Sequence, residues 1–165
     1  MMVDAGLGMT GDALRRAYVQ HRLALVRLAT LLLRDETVAE DVVHDVFLRS
    51  RGRLEGLDEA EAYAYLRRSV VNAWRNHSRH LRVEARLLPR LSLPASADAV
   101  ARVDEREALW RAIELLPGRQ RAVVVLRYYE DLPDAEVARL LGCRQVTVRT
   151  QAKHALDKLR KVVDR

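Results

Sequence analysis

Near the C-terminus Arg149, Thr150, Lys153 and His154 stand at i, i+1, i+4 and i+5, a spacing that puts them on one side of an α-helix, with Thr147 just ahead of them. Guanidinium, hydroxyl, ammonium and imidazole groups all donate hydrogen bonds to phosphate oxygens or base edges, so this face has the chemistry of nucleic-acid recognition. Asp157 is the only acid nearby in the sequence. The opposite face is apolar: Val148, Ala152, Ala155, Leu156 and Leu159 recur at i, i+4, i+7, i+8 and i+11 and form a packing stripe. Such a helix is expected to lie in a major groove with its cationic side inward.

The preceding segment supplies the support that this reading needs. Pro133 and Asp134 open a short helix running to Leu141, with Val137, Ala138 and Leu141 on one face. Gly142 then ends it, because a left-handed cap tolerates glycine where a side chain would clash. The pattern over 132–159 is a helix-turn-helix. A solvated basic face on an ordinary amphipathic helix would carry the same charges, but the turn glycine and the small Ala138 at the crossing favour DNA.

A second group of cations lies upstream. A helix is expected from Asp58, with Glu61 completing its cap, to about Arg79 through Tyr63, Leu66, Val70, Ala73 and Trp74. Arg67, Arg68, Arg75, Arg79, Arg82, Arg86 and Arg90 face only Glu84, while Asn72, Trp74, Asn76, His77 and His80 interleave amide and aromatic groups. Arginine beside aromatic rings suits unstacked or single-stranded bases. The plainer alternative makes Trp74 a core residue and the arginines solvated.

Before it, Thr37-Val-Ala-Glu40 reads as a capping box that opens a helix near Val38, running to about Arg51. Ala39, Val42, Val43, Val46 and Phe47 form its interior face, and Asp41, His44, Asp45 and Leu48 its outer stripe. A leucine among acids on an outer stripe suggests a surface for a partner, against the alternative of a simple solvated face.

Residues 1–11 are glycine-rich and aperiodic and are expected to be a frayed start. Leu14, Ala17, Tyr18, His21, Leu25, Leu28 and Leu32 then share one face of a helix over about 12–33. His21 lies on that apolar face with no metal-type residue at i+3 or i+4, so it reads as a core histidine. Pro89, Pro94 and the serines and alanines around them make 87–103 a linker. Beyond it Leu109, Ala112, Ile113 and Leu116 form a helix stopped by Pro117-Gly118, and Arg119 to Tyr129 form another. No strand pattern appears, so the expected class is all-α: two small helical domains joined by a linker.

The 165 residues carry a formal charge of +6, which favours a polyanionic partner. No apolar run reaches membrane-spanning length and no signal-peptide pattern is present, so a cytoplasmic protein is expected. The single cysteine, Cys143, excludes an internal disulfide and a thiolate-rich zinc site; no metal and no cofactor is expected. Two rival readings come from other classes. A one-component helix-turn-helix regulator would explain the C-terminal half, but not acids on the second helix with cations on the third. The dipeptide His44-Asp45 also occurs in HD-type metal phosphohydrolases, yet His21 and His44 fall on opposite kinds of helical face, which speaks against a shared metal and against an enzyme.

Four segments in order resemble one family. Ala39-Glu-Asp-Val-Val-His-Asp-Val-Phe-Leu-Arg49 resembles region 2.2 of the extracytoplasmic-function (ECF) sigma factors, small subunits that direct bacterial RNA polymerase to promoters. Tyr65-Leu-Arg-Arg-Ser-Val-Val-Asn-Ala-Trp-Arg-Asn76 is similar to their regions 2.3 and 2.4, Leu116 to Leu132 to the start of region 4, and Ala135 to Leu159 to its helix-turn-helix. The resemblance implies sigma region 2 over 12–86, a linker over 87–103 and sigma region 4 over 104–163. It implies that Asp41, His44, Asp45 and Leu48 dock to the clamp helices of the largest core subunit, with the flap of the second-largest subunit as a further contact. Asn72, Arg75, Asn76, Arg79 and Arg82 would serve the minus-10 element. Asn72 would sit in a pocket for a flipped-out base, and Ser78 to Arg86 in the adjoining specificity loop. Thr147, Arg149, Thr150, Lys153 and His154 would read the minus-35 duplex. Promoter DNA, polymerase core and an anti-sigma factor are the partners that the family implies. Two positions depart from it: Val146 replaces a usual glycine, and His154 a usual arginine whose guanidinium fork an imidazole cannot reproduce.

Overall fold

The computed structural model describes residues 5–87 and 105–163. These residues form helices and turns, with no strand among them: α1 (Ala5–Leu33), α2 (Glu36–Arg49), α3 (Glu59–Leu87), α4 (Glu105–Leu115), α5 (Gly118–Val124), α6 (Asp134–Leu141) and α7 (Gln145–Val163). α5 runs on through a π-helical turn over Val125–Tyr129. The chain divides into two compact units, Met1–Trp74 and Arg75–Arg165. Apart from Leu87, which closes α3, the expected linker at 87–103 lies outside the described residues.

In the first unit α1 begins at Ala5, earlier than its apolar stripe suggests. Each interior glycine costs about 1 kcal/mol relative to alanine, but a helix nucleated downstream extends one residue at a time and tolerates that cost. α1 ends at Arg34, whose φ of 63° is left-handed, and Asp35 caps α2 at once, its carboxylate accepting from Val38 N at 3.0 Å. The cap is therefore Asp35 and not the expected Thr37. An aspartate straight after the left-handed turn outcompetes a threonine two residues on. Ser50 closes α2, its hydroxyl donating to Val46 O at 2.6 Å, slightly before the expected Arg51.

α3 opens on the expected reciprocal cap: Glu61 N donates to Asp58 Oδ1 at 2.8 Å and Asp58 N to Glu61 Oε2 at 3.0 Å. It does not stop near Arg79. From Ser78 onward the residues are mostly Arg, Leu, Glu and Ala, with no glycine or proline, so the helix continues to Leu87. Leu25, Leu28 and Leu32 of α1 bury fully, as do Val43 of α2 and Leu66, Val70 and Val71 of α3. Tyr18 sits at the rim, its ring edge-on to Phe47 at 5.0 Å.

In the second unit a buried cation satisfies the end of α4, just before the expected stop at Pro117-Gly118. Arg121 donates through Nη1 to Leu116 O at 2.9 Å and to Glu114 O at 3.4 Å, satisfying carbonyls that α4 leaves open at its C-terminus. Its positive charge also complements the negative end of the helix dipole. Ala112, Ile113 and Leu116 bury as expected, whereas Leu109, placed on the same face, stays exposed one turn nearer the start of α4. Arg121→Ala is expected to lower unfolding stability by about 2–3 kcal/mol, because it strips charge-assisted bonds from buried carbonyls. Chemical denaturation of the variant and the parent, compared at equal denaturant slope, measures this.

Candidate nucleic-acid and protein interfaces

α6 and α7 form the helix-turn-helix. Gly142 takes φ 62° and ψ 44°, Gly142 N donates to Arg139 O at 3.3 Å, and Cys143 N to Ala138 O at 3.0 Å. These two bonds make a Schellman motif, which turns the chain within three residues and starts α7 at Gln145. Val137, Ala138, Leu140 and Leu141 of α6 bury, as do Val148, Ala152, Ala155 and Leu159 of α7, with Leu156 half-buried beside them.

The outer side of α7 is open to solvent. Arg149, Thr150, Lys153 and His154 are exposed and Thr147 is half-buried. The five expected residues thus occupy one side of one helix, but not in equivalent states. Thr150 donates its hydroxyl to Val146 O at 2.9 Å, which leaves its oxygen as an outward acceptor and not the donor that its type suggested. Arg149 donates through Nε to Asp134 Oδ2 at 3.1 Å. Asp134, on the first turn of α6, also forms an ion pair with Arg127, its Oδ1 3.2 Å from Arg127 Nε. Asp157 is therefore not the only acid near this face. Asp134 lies 15 positions before Arg149, and no linear spacing rule could have paired them. Val146, at the start of α7, is helical and exposed and takes no positive φ, so the backbone here has no need of glycine.

α3 carries the second candidate. Asn72, Arg75, Asn76 and Arg79 follow at i, i+3, i+4 and i+7 along an unbroken helix, with Arg82 continuing the side; Arg75 is half-buried and the others are exposed. Trp74 belongs to the core instead, only 6% exposed, so it offers no stacking surface to a base. Arg67 is also apart from the stripe, half-buried with its guanidinium 5.6 Å from the Tyr63 ring centroid. The stretch expected as a specificity loop, Ser78 to Arg86, is helical here, and Arg90 lies outside the described residues.

On α2, Asp41, His44, Asp45 and Leu48 are all exposed, with Leu48 at 57%. Asp45 pairs with Arg49 one turn on, at 3.0 Å. Of the interior face, Val42 is half-buried and Ala39, Val43, Val46 and Phe47 are buried. His21 lies on the buried side of α1 against the Tyr63 ring, with centroids 5.3 Å apart, and its Nε2 has no hydrogen-bond partner among the described residues. It does not converge with His44 and Asp45, and among the described residues no group of three His, Cys, Asp or Glu could hold a metal ion. No helix among them is long and apolar enough to cross a membrane.

Comparisons with known proteins bear on both units. Residues 17–83 match the family model of Sigma-70 region 2, and residues 106–159 that of Sigma-70, region 4. The RNA polymerase sigma-E factor of Streptomyces coelicolor is 35% identical over 147 residues, spanning 87% of this chain and 82% of that protein. The ECF RNA polymerase sigma factor SigM of Mycobacterium tuberculosis is 30% identical over 158 residues, spanning 94% and 80%. Two solved structures share the fold. CnrH in complex with the cytosolic domain of CnrY superposes with a TM-score of 0.59 at 23% identity, covering 98% of each chain. The sigma factor RpoE in complex with the anti-sigma factor NepR from Bartonella quintana also gives 0.59, at 18% identity, covering 91% of this chain and 96% of that one.

The burial on α3 separates its residues by the effect of truncation. Trp74→Ala is expected to cost about 3–5 kcal/mol of stability, as for a large core aromatic. Asn72→Ala, two residues away, should stay within about 0.5 kcal/mol, as for an exposed side chain. Thermal melts of the two variants under one buffer condition give the comparison.

Proposed function

Because the chain belongs to the extracytoplasmic-function sigma factors of the sigma-70 family, we propose that it divides promoter recognition between α7, which reads the minus-35 duplex, and α3, which serves the opened minus-10 element. The protein is a transcription initiation factor that directs RNA polymerase core to promoters. The observation that carries the residue assignment is the division of α7 into a buried stripe and an open side holding Arg149, Thr150, Lys153 and His154.

On α3, Asn72 contributes to a pocket for an extruded minus-10 base, and Arg75, Asn76, Arg79 and Arg82 draw in the strand. Extruding a base costs a few kcal/mol of stacking, which a pocket and nearby cations offset. On α2, Asp41, His44, Asp45 and Leu48 dock to the clamp helices of the largest core subunit, and the second unit meets the flap of the second-largest. Region 2 is taken as 12–86 and region 4 as 104–163, with the tether between them. The RpoE relative is bound to an anti-sigma factor, and we extend that partner class to this chain. The reading places the protein in the cytoplasm with the polymerase, acting by binding and not by turnover. A one-component regulator would have no use for a region 2 module, which residues 17–83 match.

Run-off transcription with purified core on genomic fragments tests the whole reading. Initiation from discrete sites sharing two sequence elements supports it; a chain that binds DNA but neither binds core nor starts transcripts refutes it.

Two sets of variants test the residues. Asp45→Lys should weaken core binding at least tenfold while the melting temperature shifts little, because the exposed Asp45–Arg49 pair is worth only about 0.3–0.5 kcal/mol. On α7 the labour divides between phosphate and base. Lys153→Ala should weaken binding about equally on all duplexes and reduce the log–log salt slope by about one unit. Arg149→Ala or His154→Ala should cost about 1–3 kcal/mol at a preferred site and much less on scrambled DNA. Binding-site selection by the Arg149 and His154 variants decides this, and an unaltered minus-35 consensus would remove α7 from the groove.

A further inference from the structure

Asp134 bridges two arginines from different elements. Its Oδ1 lies 3.2 Å from Arg127 Nε on the π-helical turn, in an ion pair, and its Oδ2 accepts from Arg149 Nε on α7 at 3.1 Å. The carboxylate is only 17% exposed, whereas the Arg149 side chain is 65% exposed. The pair therefore holds Arg149 by its inner nitrogen and leaves the guanidinium tip in solvent. Neither Nη of Arg149 has a partner among the described residues.

We propose that Asp134 is a positioning residue for minus-35 recognition, holding Arg149 so that its two Nη groups present an end-on fork to a guanine. The inference rests on the assignment of α7 to the major groove. An arginine can meet guanine O6 and N7 side-on, through Nε and one Nη, or end-on, through both Nη groups. Engagement of Nε by Asp134 removes the side-on mode and keeps the end-on one. It also restricts rotamers that a free arginine would lose on binding, which is preorganisation. Arg127 matters to this geometry because it draws Asp134 from the other side, so the carboxylate is fixed by two cations and anchored to α6. The three groups sum to one net positive charge, so the cluster still attracts DNA.

The competing roles predict different signs. A carboxylate that merely clamps α6 to α7 would, when removed, weaken binding to all DNA and lower stability together. One that merely repels phosphates would, when removed, strengthen binding to all DNA. A positioning residue gives opposed effects. Asp134→Ala should reduce affinity for the preferred minus-35 duplex about five- to tenfold, while affinity for scrambled duplex stays equal or rises. Binding-site selection should lose preference at the base positions that Arg149→Ala also relaxes, and at no others. Added to Arg149→Ala, the Asp134→Ala change should relax no further position, since its effect runs through that side chain. Asp134→Asn keeps the size and one acceptor and serves if the alanine variant folds poorly; it should show a smaller loss at the same positions. A uniform loss across positions, a uniform gain on all duplexes, or an unchanged consensus would each overturn the proposal. If Arg149→Ala itself leaves the consensus unaltered, the groove placement of α7 has failed, and this inference falls with it for that separate reason.

Discussion

The seam along which α7 crosses α6 sets what the second unit can offer to DNA. Val137, Ala138 and Leu141 on one side and Val148, Ala152 and Ala155 on the other are buried, which fixes the rotation of α7 about its own axis. Successive helical residues are turned by about 100°, so burying one stripe decides which residues lie opposite it. Arg149, Lys153 and His154 point outward because Val148, Ala152 and Ala155 point inward. The short turn at Gly142 serves the same end: two backbone bonds close it, and its left-handed residue spares a side-chain clash. A longer or looser connection would let α7 swivel, and its outward polar groups would hold no fixed register against whatever they meet.

The charges of the molecule are segregated as well as unequal. The net +6 conceals an outer stripe on α2 that contains Asp41 and Asp45, and separate cationic sides on α3 and α7. On the proposed reading, α2 meets a protein and α3 and α7 a polyanion, and the acids of α2 do not compete for phosphate. The local ion pairs barely alter this. Asp45–Arg49 and Asp157–Arg160 are exposed pairs on single helices, with little energetic weight and both partners still accessible. The Asp134 cluster is different, because a carboxylate shielded from solvent and shared by two guanidinium groups has little freedom to swing away.

Periodicity made the inner stripes legible. It placed much of the cores of α1, α2, α6 and α7, because burial of an apolar face is a one-dimensional signal, but it set Tyr18 inside, where the ring stays exposed, and left out Val26, Ala29 and Leu140, which are buried. Helix ends were less legible. Thr37 matched a capping pattern that Asp35 takes in the structure, and α3 passes Arg79 because nothing in the next eight residues breaks a helix. Trp74 looked like a stacking platform among arginines, but its position on the inner side of α3 puts it in the core. What the sequence could not disclose were pairings across elements. Arg121 beneath the end of α4, and Asp134 between Arg127 and Arg149, depend on how helices come together and have no spacing signature. On the candidate interfaces the residue types could be read in advance, but neither the half-burial of Arg75 and Thr147 nor the state of each group, such as the Thr150 hydroxyl committed to Val146.

The two departures from the family pattern bear on specificity in different ways. Val146 keeps ordinary helical geometry, so the missing glycine alters the surface at the start of α7 without altering its path. Losing an arginine at His154 changes the chemistry itself. Among the five candidate residues Thr147, Arg149, Thr150, Lys153 and His154, Arg149 is then the only one with a guanidinium fork, the group best matched to a guanine edge. Lys153 supplies charge without a fixed direction, Thr150 an acceptor, and His154 a ring that donates or accepts at one edge. On the proposed reading, bidentate discrimination would be concentrated in this single side chain. A helix so built has reason to hold that side chain in place, and Asp134, half-buried and 3.1 Å from its Nε, is placed to do so.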